Sequence, residues 1–168
     1  VSNQQNTAEI MTGTEFRSNI LTKRPRYANS RIHLFESMAD KGSRTSEYSQ
    51  FGPLYELFIY AMMLGIKKGR RLPLPPRDQT RDFLEIGKWK RDGALVDFLL
   101  MVIFSNSKEI GFDWNELEDM EEAELNKVIS SIITYMEEYA NGGLEYLEEL
   151  KEKGDLEISD YMFIDLYR

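Results

Sequence analysis

The stretch PLYELFIYAMMLGIKKGRRLPL, residues 53–74, decides how the rest of the chain is read. Leu54, Leu57, Phe58, Ala61, Met62 and Leu64 recur at helical spacing and can cover a broad buried face. Pro53 suits a first helical turn, because its missing N–H would be an orphan donor there, and Gly65 or Gly69 can take the left-handed conformation that closes a helix. Lys67, Lys68, Arg70 and Arg71 follow at once, with Pro73 as a brake. Cations at a helix end are favoured by the dipole by roughly 0.3–1 kcal/mol each. These four residues therefore have two readings: a stabilised helix end, or a surface for phosphate groups or an acidic partner.

Upstream, residues 1–13 are polar and aperiodic and read as a flexible tail. A short helix from Thr14 to Thr22 carries Phe16, Ile20 and Leu21 and must stop before Pro25. Lys23, Arg24, Arg26 and Arg31 surround Tyr27, a pattern that suits either phosphate contacts with stacking or a solvated loop. Ser30 is placed to cap a helix from Arg31 to Lys41 with Ile32, Phe35, Met38 and Ala39 inward, and residues 42–50 read as a loop.

Downstream, residues 72–77 form a proline-rich strap, in which Pro73, Pro75 and Pro76 favour polyproline II and forbid helix. Pro73-x-x-Pro76 followed by Arg77 formally matches a proline-motif ligand core, though a strap crossing the surface explains the same residues. Lys88, Lys90 and Arg91 make a second basic cluster around Trp89. Asp92 is placed to cap a helix over about 93–105, which is apolar nearly all round and is expected to be central and innermost.

From Trp114 to Ala140 the apolar residues Leu117, Met120, Leu125, Val128, Ile129, Ile132, Met136 and Tyr139 recur at three and four. That predicts a long amphipathic helix, with a break near 121–123 left open and a stop at Asn141-Gly142-Gly143. A shorter helix then places Leu144, Leu147 and Leu150 inward and Glu145, Glu148, Glu149 and Glu152 outward. The last stretch, with Ser159 as a cap, is too apolar to stay in solvent. It must dock within the domain, which is the preferred expectation, or be covered by another chain, so a homo-oligomer stays open. The reading is an all-α chain: one compact domain of six or seven helices over 14–168.

Composition narrows the function. The 168 residues are 42% hydrophobic and 12% aromatic, enough for one real core. No cysteine means no disulfide framework or thiolate chemistry, and a single histidine, His33, excludes a multi-histidine metal centre. No secretory signal is visible and the longest apolar run is too short to span a bilayer, so a soluble, cytoplasmic protein without membrane partners is expected. The formal charge of −8 is unevenly placed: residues 1–81 hold 13 Lys+Arg against 7 Asp+Glu, and residues 82–168 hold 8 against 22. Such a split suits an anion-binding front, two partner surfaces, or two halves that neutralise each other on folding.

The sequence lacks the phosphate-cradling, dinucleotide-binding, zinc-binding and nucleophile-elbow motifs. The nearest thing to a nuclease set is Asp82, Glu85 and Lys88, at helical spacing rather than on a strand and its turn. Carboxylates crowd residues 116–124, where anions at a helix start explain them better than a divalent cation does. No catalytic residue, cofactor or metal is expected.

Phe58, Ala61, Leu64, Gly65, Lys67, Lys68, Arg70, Arg71, Leu72, Pro73 and Leu74, in that order, resemble the pattern of the small helical proteins encoded beside bacterial DNA phosphorothioation (Dnd) systems, the Dnd system-associated proteins. The resemblance implies a neighbourhood, bacterial defence against foreign DNA, with other subunits of a defence complex as partners. The expected function is a non-enzymatic accessory subunit of an anti-phage defence or DNA-modification system. Its basic surface, Lys67, Lys68, Arg70 and Arg71 with Lys88, Lys90 and Arg91, is expected to contact a DNA or RNA backbone or an acidic partner. The alternative is a protein–protein adaptor that never touches nucleic acid.

Overall fold

The computed structural model describes residues 11–39, 51–90, 93–156 and 162–168. Helix dominates them, as the all-α reading requires, and the only strands among the described residues are two of three residues each. The expected loop at 42–50, the caps Asp92 and Ser159, and most of the 1–13 tail lie outside the described residues. Two compact units are built, one from Val1–Arg24 with Leu84–Tyr135 and the other from Pro25–Phe83 with Met136–Arg168.

In the first unit α1, Gly13–Leu21, starts inside the stretch read as tail. Thr12 and Glu15 cap each other's backbone N–H reciprocally, the Glu15 carboxylate accepting from Thr12 N–H at 2.7 Å, and Phe16 and Ile20 are buried. Beyond it Lys23 C=O accepts from Ile86 N–H at 3.0 Å, fixing a 3-10 turn at Ile86–Lys88, and the buried Trp89 donates its indole N–H to Leu84 C=O at 2.9 Å. Helix α4, Ala94–Ser105, starts at Gly93, whose φ of 72° is the left-handed conformation that glycine takes without a Cβ clash. It is not buried on most sides. Val96, Leu99, Val102 and Ile103 face inward, while Phe98 and Met101 are exposed. A four-residue helix α5, Ser107–Ile110, follows, and the Phe104 ring meets Phe112 edge-on at 6.0 Å. A 3-10 segment, Trp114–Asp119, then leads into α6, Glu122–Lys153, which contributes Leu125, Ile129, Ile132 and the fully buried Tyr135 to this unit.

The second unit is organised on α3, Leu54–Lys68, and on α6 from Met136 onward. The bounds of α3 lie close to those read from residues 53–74: Pro53 stands at the N-cap, just ahead of the first turn, and of the two candidate terminators Gly69, at φ 63°, takes the C-cap while Gly65 stays inside the helix. Leu57, Phe58, Ala61, Met62 and Leu64 are buried with Met136, Leu144 and Leu147. A feature with no counterpart in the sequence reading is an antiparallel pair, β1 (Arg26–Ala28) with β2 (Thr80–Asp82), in which Tyr27 faces Arg81. It brings Tyr27 and Phe83 together with Phe35 and Phe58 at centroid separations of 4.8–5.8 Å. Each such pair adds about 0.5–1.5 kcal/mol beyond its area burial. Helix α2, Ile32–Met38, follows a 3-10 turn at Asn29–Arg31. Ser30 therefore does not cap it, and Leu34 is its most buried side chain instead of Ile32. A last helix, α7 (Met162–Tyr167), packs on α3 and leaves Ile164 exposed.

The helix α6 does not stop at Asn141-Gly142-Gly143 but runs through it. The glycines are there for close approach. A Cβ on Gly142 would meet the Arg70 carbonyl, one on Gly143 the Ala61 backbone, and one on Gly65 of α3 the Tyr139 carbonyl. The strap crosses at the same turn: Leu72 N–H donates to Glu138 C=O at 3.1 Å, and Asn141 Nδ2 donates to the carbonyls of Leu72 and Pro73 at 3.3 and 3.1 Å.

Candidate functional site

The basic segment after α3 takes its direction from the helix closure. Gly69 N–H donates to Ile66 C=O at 3.1 Å and Arg70 N–H to Gly65 C=O at 2.9 Å, the paired bonds that a left-handed glycine permits. Lys67 and Lys68 thus stay in the last turn, exposed and complementing the dipole. The chain after Gly69 is turned back along α6.

That turn sets both arginines against glutamates of α6. Arg70 Nη1 lies 2.9 Å from Glu149 Oε1, with its guanidinium 4.6 Å from the Tyr146 centroid. Arg71 Nε donates to Glu138 Oε2 at 2.6 Å. The hydrogen bond from Arg70 holds the Glu149 carboxyl below its ordinary value of 4.5, and the same bond raises Arg70. The sign follows directly: a carboxylate depressed in the folded state adds stability above its unfolded pKa and loses it as pH falls through the folded value. Arg70→Ala is therefore expected to move the Glu149 titration back up toward 4.5, measured by NMR of the side-chain carboxyl.

Lys88 and Lys90 belong to the first unit and are exposed, and Arg91 lies outside the described residues. Lys88 Nζ is 3.0 Å from Glu85 Oε2, and Arg24 Nη2 is 3.2 Å from Glu85 Oε1. Together, Lys88 first, they hold the Glu85 carboxyl below its ordinary range. Asp82, the remaining member of the acid–acid–lysine set, sits on β2 and receives Arg77 Nη2 at 2.9 and 3.1 Å. Among the described residues no group of three or more His, Asp or Glu is placed to hold a metal ion.

Arg26 and Arg31 are engaged in the same way. Arg26 donates to Glu137 through its backbone N–H at 2.8 Å and its Nε and Nη2 at 3.2 and 3.0 Å, and Glu137 is almost fully buried. The bonded carboxylate raises Arg26 above its ordinary value. Arg31 pairs with Glu148, and Glu145 lies 3.7 Å away. His33 Nε2 is 3.0 Å from Glu148 and its Nδ1 is 2.9 Å from Ser30 C=O. On α6 the partners of Arg26, Arg31, Arg70 and Arg71 include Glu137 and Glu138, which the sequence does not single out, and Glu148 and Glu149, which it places only on an outward face. The signal that points to them is the charge split itself.

No helix among the described residues is long and apolar enough to cross a membrane. Neither the curated proteins nor the solved structures contain a match to this chain. A family model, DNA sulphur modification system-associated protein 4, matches residues 24–167, a span that includes α3, the strap and α6. With that match, and with residues 58–74 arranged as described, the chain belongs to the family of DNA sulphur modification system-associated protein 4.

Proposed function

We propose that this member of the family is a non-enzymatic adaptor in the cytoplasm, a subunit of a bacterial anti-phage defence assembly that works by holding protein partners. In this reading the basic segment is an internal brace. The observation that carries it is the pairing of Arg70 with Glu149 and of Arg71 with Glu138. A phosphate oxygen arriving there would have to displace carboxylates already at hydrogen-bonding distance, on a helix whose Glu145 also acts on Arg70. Backbone binding draws its affinity from releasing counterions around unneutralised cations, and internally paired arginines release few. The engagement of Asp82 by Arg77 and of Glu85 by Lys88 and Arg24 supports a non-enzymatic role.

The rival reading, contact with a nucleic-acid backbone, rests on the exposure of Lys67, Lys68, Lys88 and Lys90. Anisotropy of labelled duplex DNA at low salt separates the two. The adaptor reading expects no saturable binding, and it expects Arg70→Glu with Arg71→Glu to lower the Tm, since both pairs become like-charged. Saturable binding with a log–log salt slope of about −0.9 per phosphate contact, abolished by Lys67→Glu with Lys68→Glu, overturns it.

A further inference from the structure

The outer face of α4 presents two large apolar side chains, Phe98 and Met101, between Asp97, which pairs with Arg17, and Ser105, and the described chain leaves them uncovered. Met101 is 60% exposed and Phe98, one turn away on the same face, 38%. Near the C-terminal end of that helix, Phe112 packs on Phe104, and two residues on Trp114 is 57% exposed. The first unit carries four of the five exposed large apolar side chains among the described residues, and the second only Ile164.

The surroundings of Trp114 say what kind of surface fits. Residues 113–124 carry seven carboxylates and no lysine or arginine. Among the described residues Glu116, Glu118, Asp119 and Glu122 have no ion-pair partner, in contrast to the arginine-paired glutamates of the second unit. An occupant must bring apolar side chains for Phe98, Met101 and Trp114 and cations for the adjoining carboxylates. A nucleic acid or an anionic lipid surface fails on charge, and a second copy of this chain presenting the same face would set acid against acid.

We infer that the α4 face bearing Phe98 and Met101, together with Trp114 and the acidic run that follows it, docks a basic amphipathic segment of a partner protein. This rests on the adaptor reading and names the chemistry of one partner. Charge steers the encounter and fixes register, while the apolar anchors set the lifetime of the complex.

The test uses the full chain and a short dye-labelled amphipathic helix of leucine and lysine, with two controls: a scrambled peptide of the same composition and a leucine–glutamate counterpart. The leucine–lysine helix should bind and shield Trp114 from acrylamide, whereas Trp89, 3% exposed, is shielded throughout. The scrambled peptide should bind about tenfold more weakly or worse, as should the helix to Phe98→Ser with Met101→Ser, the scale expected for losing anchor contacts. Met101→Ser alone and Trp114→Ser, both at highly exposed positions, keep the test intact where the double variant fails to fold, and each should weaken binding. Absence of binding, equal affinity for the scrambled or glutamate peptide, or unchanged affinity in Met101→Ser and Trp114→Ser overturns the inference. A concentration-dependent dimer of the parent that Met101→Ser dissolves also overturns it. The DNA titration described above reads the adaptor proposal separately, so a peptide failure without DNA binding removes this surface and leaves that proposal standing.

Discussion

Glu137→Ala is expected to lower stability by about 3–5 kcal/mol, the scale found when one partner of a buried ion pair is removed. Glu137 is 3% exposed and receives three bonds from Arg26, one of them from the backbone at the edge of β1. Its removal leaves a guanidinium and a backbone N–H without their acceptor, and it loosens the strand that orders Tyr27 against Phe35 and Phe83. The large effect comes from the orphaned group and not from the intrinsic strength of the pair, because desolvating both charges largely offsets their attraction. Replacing both residues together, Arg26→Met with Glu137→Leu, should therefore cost much less than Glu137→Ala alone. Urea denaturation measures both: the midpoint should fall for the single variant with an unchanged m-value. A single variant within about 1 kcal/mol of the parent would show that the pair does not hold the strand.

Gly143→Ala is expected to destabilise by about 3 kcal/mol, the upper end of overpacking effects. Helix propensity alone gives the opposite sign, since alanine in a helix interior is favoured over glycine by about 1 kcal/mol. Packing decides the outcome because the atoms a Cβ would meet are the backbone of Ala61, inside α3, which cannot rotate away as a side chain can. Gly13→Ala is the control: it too lies in a helix, with nothing within 4 Å of the place its new methyl would take, and should be neutral or stabilising. Thermal unfolding followed by circular dichroism compares the two. A Gly143→Ala variant as stable as the parent would mean that α3 and α6 can part without loss.

These two sites mark the boundary of what the sequence discloses. The bounds of α3 are legible because Pro53 and Gly69 act locally, through a missing donor and a left-handed φ. The strap is legible because prolines forbid helix wherever they stand. Asn141-Gly142-Gly143 misleads because glycine serves equally well as a helix terminator and as a place for two backbones to touch, and only the arrival of Ala61 and Arg70 distinguishes the uses. The arginine–glutamate pairs stay hidden because Arg71 and Glu138 are 67 residues apart and Arg26 and Glu137 111. Opposite charge in the two halves shows that such pairs can form, but register across α6 selects which. The exposure of Phe98 and Met101 is unreadable for a related reason: an apolar stretch states how much surface wants cover, and neighbours decide how much receives it.

The anchoring of the strap has one more consequence. Domains that recognise proline motifs need a ridge they can grip along its length, with free carbonyls to accept their hydrogen bonds. Here the carbonyls of Leu72 and Pro73 are taken by Asn141, and Arg77, the basic end of the motif, is clasped by both oxygens of Asp82. Pro73-x-x-Pro76 is therefore tied into the fold at its first proline and at the arginine that follows it, and a module gripping the whole ridge would first have to displace Asn141 and Asp82.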